Sequence, residues 1–262
     1  MGSVFLTPSI RMIFMEDNTQ GMPAKRRRIV LKISGEGFCP ANERGISMDS
    51  VNRLATQIAE LVQDGIEVAV VMGGGNILRG AAFKAKNSTI QEATAHYMGM
   101  LATLINGLAL QDAIEGQGQP TRLMTNITAD TIAEPYIRRR ATRHLEKGRV
   151  VIVACGTGLP FVTTDTAAAQ RALELNADIL LKATKVDGVY SDDPETNPEA
   201  KFYDHLTYDE VSAQKLRVMD QEAIAKCAEH KMPIMVFNFR TQGNLLRAAR
   251  GEHIGTIISS MK

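Results

Sequence analysis

The sequence predicts an α/β protein with a three-layer α-β-α arrangement, in which helices cover both faces of a mainly parallel sheet. Apolar runs of strand length alternate with amphipathic stretches of helix length along the chain. The runs Val68–Met72 and Val150–Ala154 are apolar at every position, which is typical of strands buried on both faces of a parallel sheet. The 262 residues are 44% apolar and 23% charged, so a substantial core can form.

Seven strands and six helices are predicted, from continuous apolar runs and from helical spacing of apolar residues respectively. In chain order the strands are Ile29–Ile33, Val68–Met72, Thr121–Thr125, Val150–Ala154, Ile179–Lys182, Ile234–Asn238 and Thr256–Ser259. The helices are Met48–Asp64, Gln91–Gly116, Tyr136–Lys147, Thr166–Leu175, Gln221–His230 and Asn244–Arg250. Residues 185–200 are rich in Asp, Asn, Pro and Thr, and are predicted to be a long functional loop or a lid.

The charge balance excludes a protein that works through a broad basic surface. Lys and Arg number 30 and Asp and Glu 29, which gives a net charge of +1. Residues 1–28 hold five basic and two acidic groups, so the remaining body carries −2. The absence of Trp and the 5% aromatic content leave little for base stacking. Direct nucleic-acid binding is therefore not expected, whereas a small anion needs only a few local donors.

Cysteine use and hydropathy predict a cytoplasmic protein without disulfides. Cys39, Cys155 and Cys227 are odd in number, scattered and without metal-ligand spacing, so we expect buried thiols. No apolar run reaches the roughly 18 residues of a membrane span, and no membrane partner is expected. Residues 1–27 lack the regions of a signal peptide and are predicted to be a flexible tail before a single domain, residues 28–262.

Residues suited to anion binding cluster where the predicted strands end, the edge at which open α/β sheets bind ligands. Lys32-Ile-Ser-Gly35 follows the first strand, and Gly73–Gly75 with Arg79 follows the second. Gly156–Asp165 follows the fourth strand and Lys182–Tyr190 ends the fifth. Bare glycine N–H groups, helix N-termini and cationic side chains all bind phosphate. The sequence therefore predicts an anion site here, without the GxxxxGK[ST] or GxGxxG fingerprints.

These residues also have purely structural interpretations. A Gly-rich loop can be a tight turn, and Lys32 a solvated lysine at the end of a strand. Asp165 and Asp220 each precede a predicted helix, so N-capping competes with a role at phosphates, and capping is favoured for Asp220. Asp193 lies in a turn and is also suited to holding a ribose. The five His residues show no metal or nucleophile spacing, so neither kind of site is expected.

Taken in order, the strand-end motifs resemble those of the amino acid kinase family, and within it the members that phosphorylate UMP. The most specific are Gly156-Thr-Gly-Leu-Pro-Phe-Val-Thr-Thr-Asp165 and Leu181-Lys-Ala-Thr-Lys-Val-Asp-Gly-Val-Tyr190. The resemblance runs from about residue 28 to the C-terminus. It implies transfer of the γ-phosphoryl group of ATP to UMP in pyrimidine nucleotide biosynthesis, with Mg²⁺ carried by ATP rather than by a direct protein ligand. It also implies a homohexamer that GTP activates and UTP inhibits.

The resemblance further implies roles for individual residues, with UMP bound mainly by the N-terminal part of the domain and ATP mainly by the C-terminal part. The residues around the reacting phosphates would be Lys32, Arg79, Asp165, Lys182 and Asp220. ATP would be held by Lys32, Ile33, Ser34, Gly35, Gly75, Arg79, Thr184, Tyr190 and Asp193. UMP would be held by Gly74, His96, Thr157, Gly158, Leu159, Pro160, Phe161, Val162, Thr163 and Thr164.

Two places depart from the family's pattern. His96 stands where an Asp that contacts the ribose is usual, so His96 or a neighbour such as Glu92 is expected to make that contact. Gln111 and Glu115 stand where basic residues are frequent in the stretch linked to GTP, which leaves Arg122 as the candidate allosteric residue. Three rival functions stay open: a kinase acting on a carboxylate such as glutamate, a nucleotide sensor without turnover, and an NAD-binding redox protein.

Overall fold

A nine-stranded sheet forms the centre of the computed structural model, which describes residues 26–78 and 89–261. The strands are β1 (Arg28–Ile33), β2 (Glu67–Met72), β3 (Thr121–Thr125), β4 (Glu134–Pro135), β5 (Val150–Ala154), β6 (Ile179–Thr184), β7 (Val189–Tyr190), β8 (Phe202–Tyr203), β9 (His205–Thr207), β10 (Ile234–Asn238) and β11 (Thr256–Ser259). The large sheet has the order β4-β3-β5-β2-β1-β6-β10-β11-β9, while β7 and β8 form a separate two-stranded sheet. Only the β10–β11 pair of the large sheet is antiparallel, so the predicted mainly parallel sheet is confirmed.

Helices cover both faces of this sheet, as the sequence predicts. They are α1 (Met48–Gln63), α2 (Glu92–Gly116), α3 (Arg138–Glu146), α4 (Thr164–Glu174), α5 (Tyr208–Ala213), α6 (Gln221–Glu229) and α7 (Asn244–Arg250), with a 3₁₀ turn at Gly35–Phe38. Alternate residues of β1 enter different cores: Ile29 and Leu31 pack with α1, α2 and α7, and Val30 packs with α3, α4 and α6. The result is the predicted three-layer α-β-α sandwich.

All seven predicted strands and six predicted helices are present, with ends within two residues of those predicted. The short elements β4, β7, β8, β9 and α5 were not predicted, and β7 lies within the stretch predicted to be a loop. One boundary changes an interpretation: α4 begins at Thr164 rather than Thr166. Asp165 therefore lies in the first turn of the helix, and the interpretation of Asp165 as its N-cap is wrong.

Other predictions concern termini, thiols and membranes. The tail prediction lies outside the described residues except for residues 26 and 27, and Arg79 lies outside them too. Cys39, Cys155 and Cys227 are buried free thiols, as predicted. Among the helices in the described part of the chain, none is long and apolar enough to cross a membrane.

Candidate active site

The centre of the site is an ion cluster formed by Lys32, Asp165 and Lys182. Lys32 and Lys182 are paired positions of the adjacent parallel strands β1 and β6, so both side chains lie on one face of the sheet. Asp165 contacts both: its Oδ1 lies 2.7 Å from Lys32 Nζ, and its Oδ2 lies 2.8 Å from Lys182 Nζ. Lys182 also donates to the Val218 carbonyl. One carboxylate between two ammonium groups leaves a net positive charge, which suits a polyphosphate.

Burial and neighbouring charge shift the pKa values within this cluster. Burial raises the pKa of Asp165, but the Lys32 and Lys182 ammonium groups outweigh it, and the pKa lies below the usual 3.8. Burial, reinforced by the charge of Lys32, lowers the pKa of Lys182 below the usual 10.5, although Asp165 opposes that shift. Asp165 is therefore ionised at neutral pH and holds both lysines in place.

A first cavity of about 560 Å³ opens beside the cluster, between the ends of β2 and β5 and the start of α4. Its lining is Gly74, Gly75, Leu78, Ile90, Glu92, Ala95, His96, Gly99, Met100, Thr103, Gly156, Phe161, Val162, Thr163 and Thr164. A Cβ atom on Gly74 would lie 2.8 Å from Ala102 Cβ, so only glycine fits this approach of the loop to α2. The glycine loop (Gly74 and Gly75) and the N-terminus of α4 (Thr163 and Thr164) both line this space, and such a combination is typical of phosphate sites.

Two buried asparagines hold the glycine loop. The side chains of Asn76 and Asn106 donate to each other, at 2.9 and 2.8 Å. Asn106 also donates to the Gly73 carbonyl at 2.8 Å, and Asn76 to the Gly45 carbonyl at 2.9 Å. Sequence analysis gives neither residue a role, although Asn76 ends the glycine motif after β2 and an Asn within the apolar middle of α2 is unusual.

The loop of residues 155–163 forms the other wall of the first cavity. Cys155 and Phe161 adopt left-handed φ values of 59° and 66°, which are strained for residues other than glycine. The Phe161 ring packs against the His96 imidazole, with centroids 4.8 Å apart. His96 Nε2 lies 4.0 Å from Glu92 Oε1, one helical turn away. The two residues expected at the ribose are therefore neighbours on α2, where His96 meets this loop through Phe161.

Thr163 and Asp220 anchor the start of α4. The Thr163 hydroxyl is the N-cap and accepts from Asp165 N at 3.1 Å and Thr166 N at 3.2 Å. Asp220 accepts hydrogen bonds from the hydroxyls of Thr163 and Thr166 and from Ala223 N. Asp220 is the N-cap of α6, as favoured from the sequence, and it also ties α6 to the helix that carries Asp165.

A second cavity, of about 570 Å³, lies on the other side of the ion cluster. Lys32 and Lys182 line it, together with residues of the β6–β7 connection and the segment after α5. Among its lining residues are Ser34, Thr184, Tyr190 and Asp193. The Thr184 hydroxyl donates to the Val186 carbonyl at 2.7 Å, and Asp193 accepts from Glu195 N at 3.0 Å. Lys32 and Lys182 line the second cavity, and their partner Asp165 directly follows Thr164, which lines the first cavity. The ion cluster therefore lies between the two cavities.

The predicted residues divide between these two cavities. Of those predicted for UMP, the first cavity is lined by Gly74, His96, Phe161, Val162, Thr163 and Thr164, while Thr157, Gly158, Leu159 and Pro160 share its loop without lining it. Of those predicted for ATP, the second cavity is lined by Lys32, Ser34, Thr184, Tyr190 and Asp193. Gly75 lines the first cavity instead, and Ile33 and Gly35 line neither. A Cβ on Gly35 would lie 2.6 Å from Gly75 N, so Gly35 lets the segments after β1 and β2 pack together.

Arg122, the predicted allosteric residue, lies on β3 and lines neither cavity. Its guanidinium lies 3.6 Å from Glu115 and 3.6 Å from Glu134. The described residues contain no group of three or more His, Cys, Asp or Glu side chains that could hold a metal ion.

Comparison with known proteins gives the class of this chain: the model of the amino acid kinase family matches residues 27–238, and the chain belongs to that family. The chain is 53% identical over 232 residues to a uridylate kinase from Methylococcus capsulatus, covering 88% of this chain and 96% of that protein. It is 50% identical over 242 residues to the chloroplastic uridylate kinase PUMPKIN from Arabidopsis thaliana, covering 92% and 71% of the two chains. A solved UMP kinase from Bacillus anthracis superposes with a TM-score of 0.86 at 39% identity, covering 90% of this chain and 97% of that one.

Proposed function

We propose that this protein is a cytoplasmic UMP kinase, which transfers the γ-phosphoryl group of ATP to UMP and yields UDP and ADP in pyrimidine nucleotide biosynthesis. The observation that carries the proposal is the pair of cavities on either side of Lys32, Asp165 and Lys182. The first would take UMP and the second ATP, so that their phosphates meet at the ion cluster. The names of the relatives at 53% and 50% identity support the choice of acceptor.

The chemistry requires positioning and charge stabilisation more than acid–base catalysis. The acceptor oxygen belongs to a phosphate that is already anionic at neutral pH, so no general base is needed. Lys32 and Lys182 would stabilise the charge that develops on the transferred phosphoryl group, while Asp165 keeps both aligned. The backbone of Gly74 and the start of α4 would orient the UMP phosphate. Arg79 is assigned to the same phosphates by the resemblance alone.

Magnesium would enter with ATP. Both oxygens of Asp165 lie against lysines, which fits a carboxylate that organises cations better than one that ligates a metal. When bound to the ATP phosphates, Mg²⁺ neutralises charge and favours displacement. Lys32 and Ser34 are the residues of the second cavity that would lie nearest to those phosphates.

The proposal includes a homohexamer that GTP activates and UTP inhibits. The exposed apolar residues Tyr97, Leu101 and Ile105 of α2 support assembly, since they form one stripe at four-residue spacing. Glu115 and Glu134 beside Arg122 would compete with an effector phosphate, so we expect GTP activation to be weak if Arg122 binds it.

A coupled assay of ADP release tests the substrate assignment. UMP, CMP, glutamate and N-acetylglutamate are offered in turn with MgATP, with and without GTP. We expect turnover with UMP well above that with CMP and none with the two carboxylates. Turnover with a carboxylate, or tight UTP binding with no ADP release from any acceptor, would replace the proposed function by one of its rivals.

A further inference from the structure

Arg171 of α4 is a buried cation that the proposed chemistry does not use. Only 6% of its side chain is exposed. Its guanidinium pairs with Glu174 and lies over the Tyr136 ring, 4.0 Å from the centroid. Glu174 is held in turn by Tyr136 Oη at 2.8 Å and Gln170 Nε2 at 2.8 Å. A buried, multiply bonded guanidinium has one fixed orientation, which makes it a rigid anchor.

The free end of this anchor reaches the loop of residues 155–163. Arg171 Nη2 donates to the Gly156 carbonyl at 3.3 Å and to Asn126 Oδ1 at 3.2 Å. Asn126 Nδ2 donates to the same Gly156 carbonyl, at 2.6 Å. One carbonyl thus receives two donors at the point where the loop leaves β5.

The chain needs such an anchor at this point. Cys155 and Gly156 are consecutive left-handed residues, with φ of 59° and 53°. A left-handed conformation is unfavourable for cysteine, so other contacts must hold the turn. Gly156 itself lines the first cavity. A rotation of the Gly156 carbonyl would therefore move the wall on which Phe161 and Thr163 lie.

We propose that Arg171 is a positioning residue for the acceptor substrate: by fixing the Gly156 carbonyl and Asn126, it holds the 155–163 loop in the shape that binds UMP. This inference rests on the proposed function for the identity of the acceptor only. Arg171 touches neither substrate in this scheme, and its contacts lead to the first cavity rather than the second. Its loss should therefore weaken UMP binding selectively.

The test compares Arg171→Met, Arg171→Lys and the double variant Arg171→Met/Glu174→Gln in steady-state kinetics. The double variant removes the partly buried charge of Glu174 together with the cation it pairs with, so a folded protein is expected even if Arg171→Met alone unfolds. We expect KM for UMP to rise about 10-fold or more and KM for ATP to stay within about 2-fold, with Arg171→Lys in between. The matched control is Arg143→Met, which removes an exposed i,i+3 ion pair with Glu146. An unchanged KM for UMP, or equal rises in both KM values, would overturn the proposal.

Amide hydrogen exchange on the ligand-free protein separates this inference from the proposed function. Residues 156–163 should exchange at least about 10-fold faster in the double variant than in wild type or Arg143→Met, because the turn loses its anchor. Unchanged exchange there would overturn the role of Arg171 whatever the substrate is. Faster exchange in a protein that does not phosphorylate UMP would instead reject the proposed function and keep Arg171 as the anchor of the loop.

Discussion

Asp165 pairs with two lysines at once. Each carboxylate oxygen contacts a different ammonium group, at 2.7 and 2.8 Å, so these three groups together keep one positive charge. If Lys32 is removed, Asp165 keeps its hydrogen bond to Lys182 and no buried charge loses its last partner. The two functions of Lys32, in the fold and at the phosphates, can therefore be separated.

Lys32→Gln should lower kcat by roughly 100-fold or more, because a preorganised charge at the transferring phosphoryl group is lost. Its melting temperature should stay near that of wild type. The coupled ADP assay and thermal unfolding measure the two effects, with Lys147→Gln, an exposed lysine after α3, as control. Wild-type turnover in Lys32→Gln would contradict the assigned role.

Because the pKa of Asp165 is lowered in the folded chain, we expect the stability of the protein to depend on pH. The pKa of Asp165 is below 3.8 in the folded chain and returns to about 3.8 in the unfolded chain. At a pH between these two pKa values, the unfolded chain therefore binds more protons than the folded chain. The stabilisation is complete above pH 3.8 and is lost as pH falls through the folded pKa. The difference in free energy of unfolding between wild type and Asp165→Asn should thus shrink as pH is lowered from about 6 to about 3. Denaturant unfolding at each pH measures it; a difference that grows on acidification would refute the ion cluster. The exposed Asp130→Asn is the control.

The site residues that could be predicted from sequence are those at strand ends. Lys32 and Lys182 end buried strands, and a parallel sheet brings its carboxyl ends to one edge. Arg171 and Asn126 could not be found in this way, because they meet only through tertiary packing of α4 against the segment after β3. The cap of α4 was misplaced because Thr163, Thr164 and Asp165 are all acceptable near a helix start, and hydrogen-bond geometry decides among them.

At the scale of elements, the glycine loop after β2 depends on α2. The Asn76–Asn106 pair joins them, and Asn106 is fully buried. The four side-chain hydrogen bonds of the pair all join residues at least 30 positions apart in sequence, so the loop shape is a property of packing. Long strands and helices were predictable because their apolar periods extend over several residues. Elements of two or three residues, such as β4 and β9, carry no period and form by pairing at the sheet edges.

Asn106→Leu should reduce the free energy of unfolding by about 2–4 kcal/mol, because Asn76 and the Gly73 carbonyl would be left buried without these partners. Urea denaturation measures the change. Asn52→Leu, at an exposed position of α1, should change it by no more than about 0.5 kcal/mol. Equal effects of the two substitutions would show that the buried pair contributes nothing specific.

At the scale of the whole molecule, the formal charge of +1 conceals a local anion site. The positive charges at this site belong to two lysines on adjacent strands. The sequence motifs around these lysines indicate an anion site, whereas the net charge of the chain does not. The net charge does not reveal this site, because it sums the charges of the whole chain and not those at one place. On the surface of the described part of the chain, α2 exposes the apolar side chains of Tyr97, Leu101 and Ile105 along one stripe.

The proposed assembly makes that α2 stripe an interface between copies of the chain. Tyr97, Leu101 and Ile105 are 44%, 46% and 48% exposed, on a helix whose other face packs in the core. Two carboxylates within an apolar interface lose hydration without gaining partners, so Leu101→Glu/Ile105→Glu should weaken association by a factor on the order of 100 or more.

Size-exclusion chromatography with light scattering measures the mass at several protein concentrations. Wild type should approach six chains of 28.6 kDa, and the double variant should yield smaller species. Met48→Glu is the control, because Met48 is a similarly exposed apolar residue (54%) that belongs to α1 and not to the α2 stripe, and the substitution should leave the mass unchanged. A double variant that keeps the wild-type mass at low concentration would exclude α2 as the interface, since buried unpaired carboxylates could not leave the association constant unchanged.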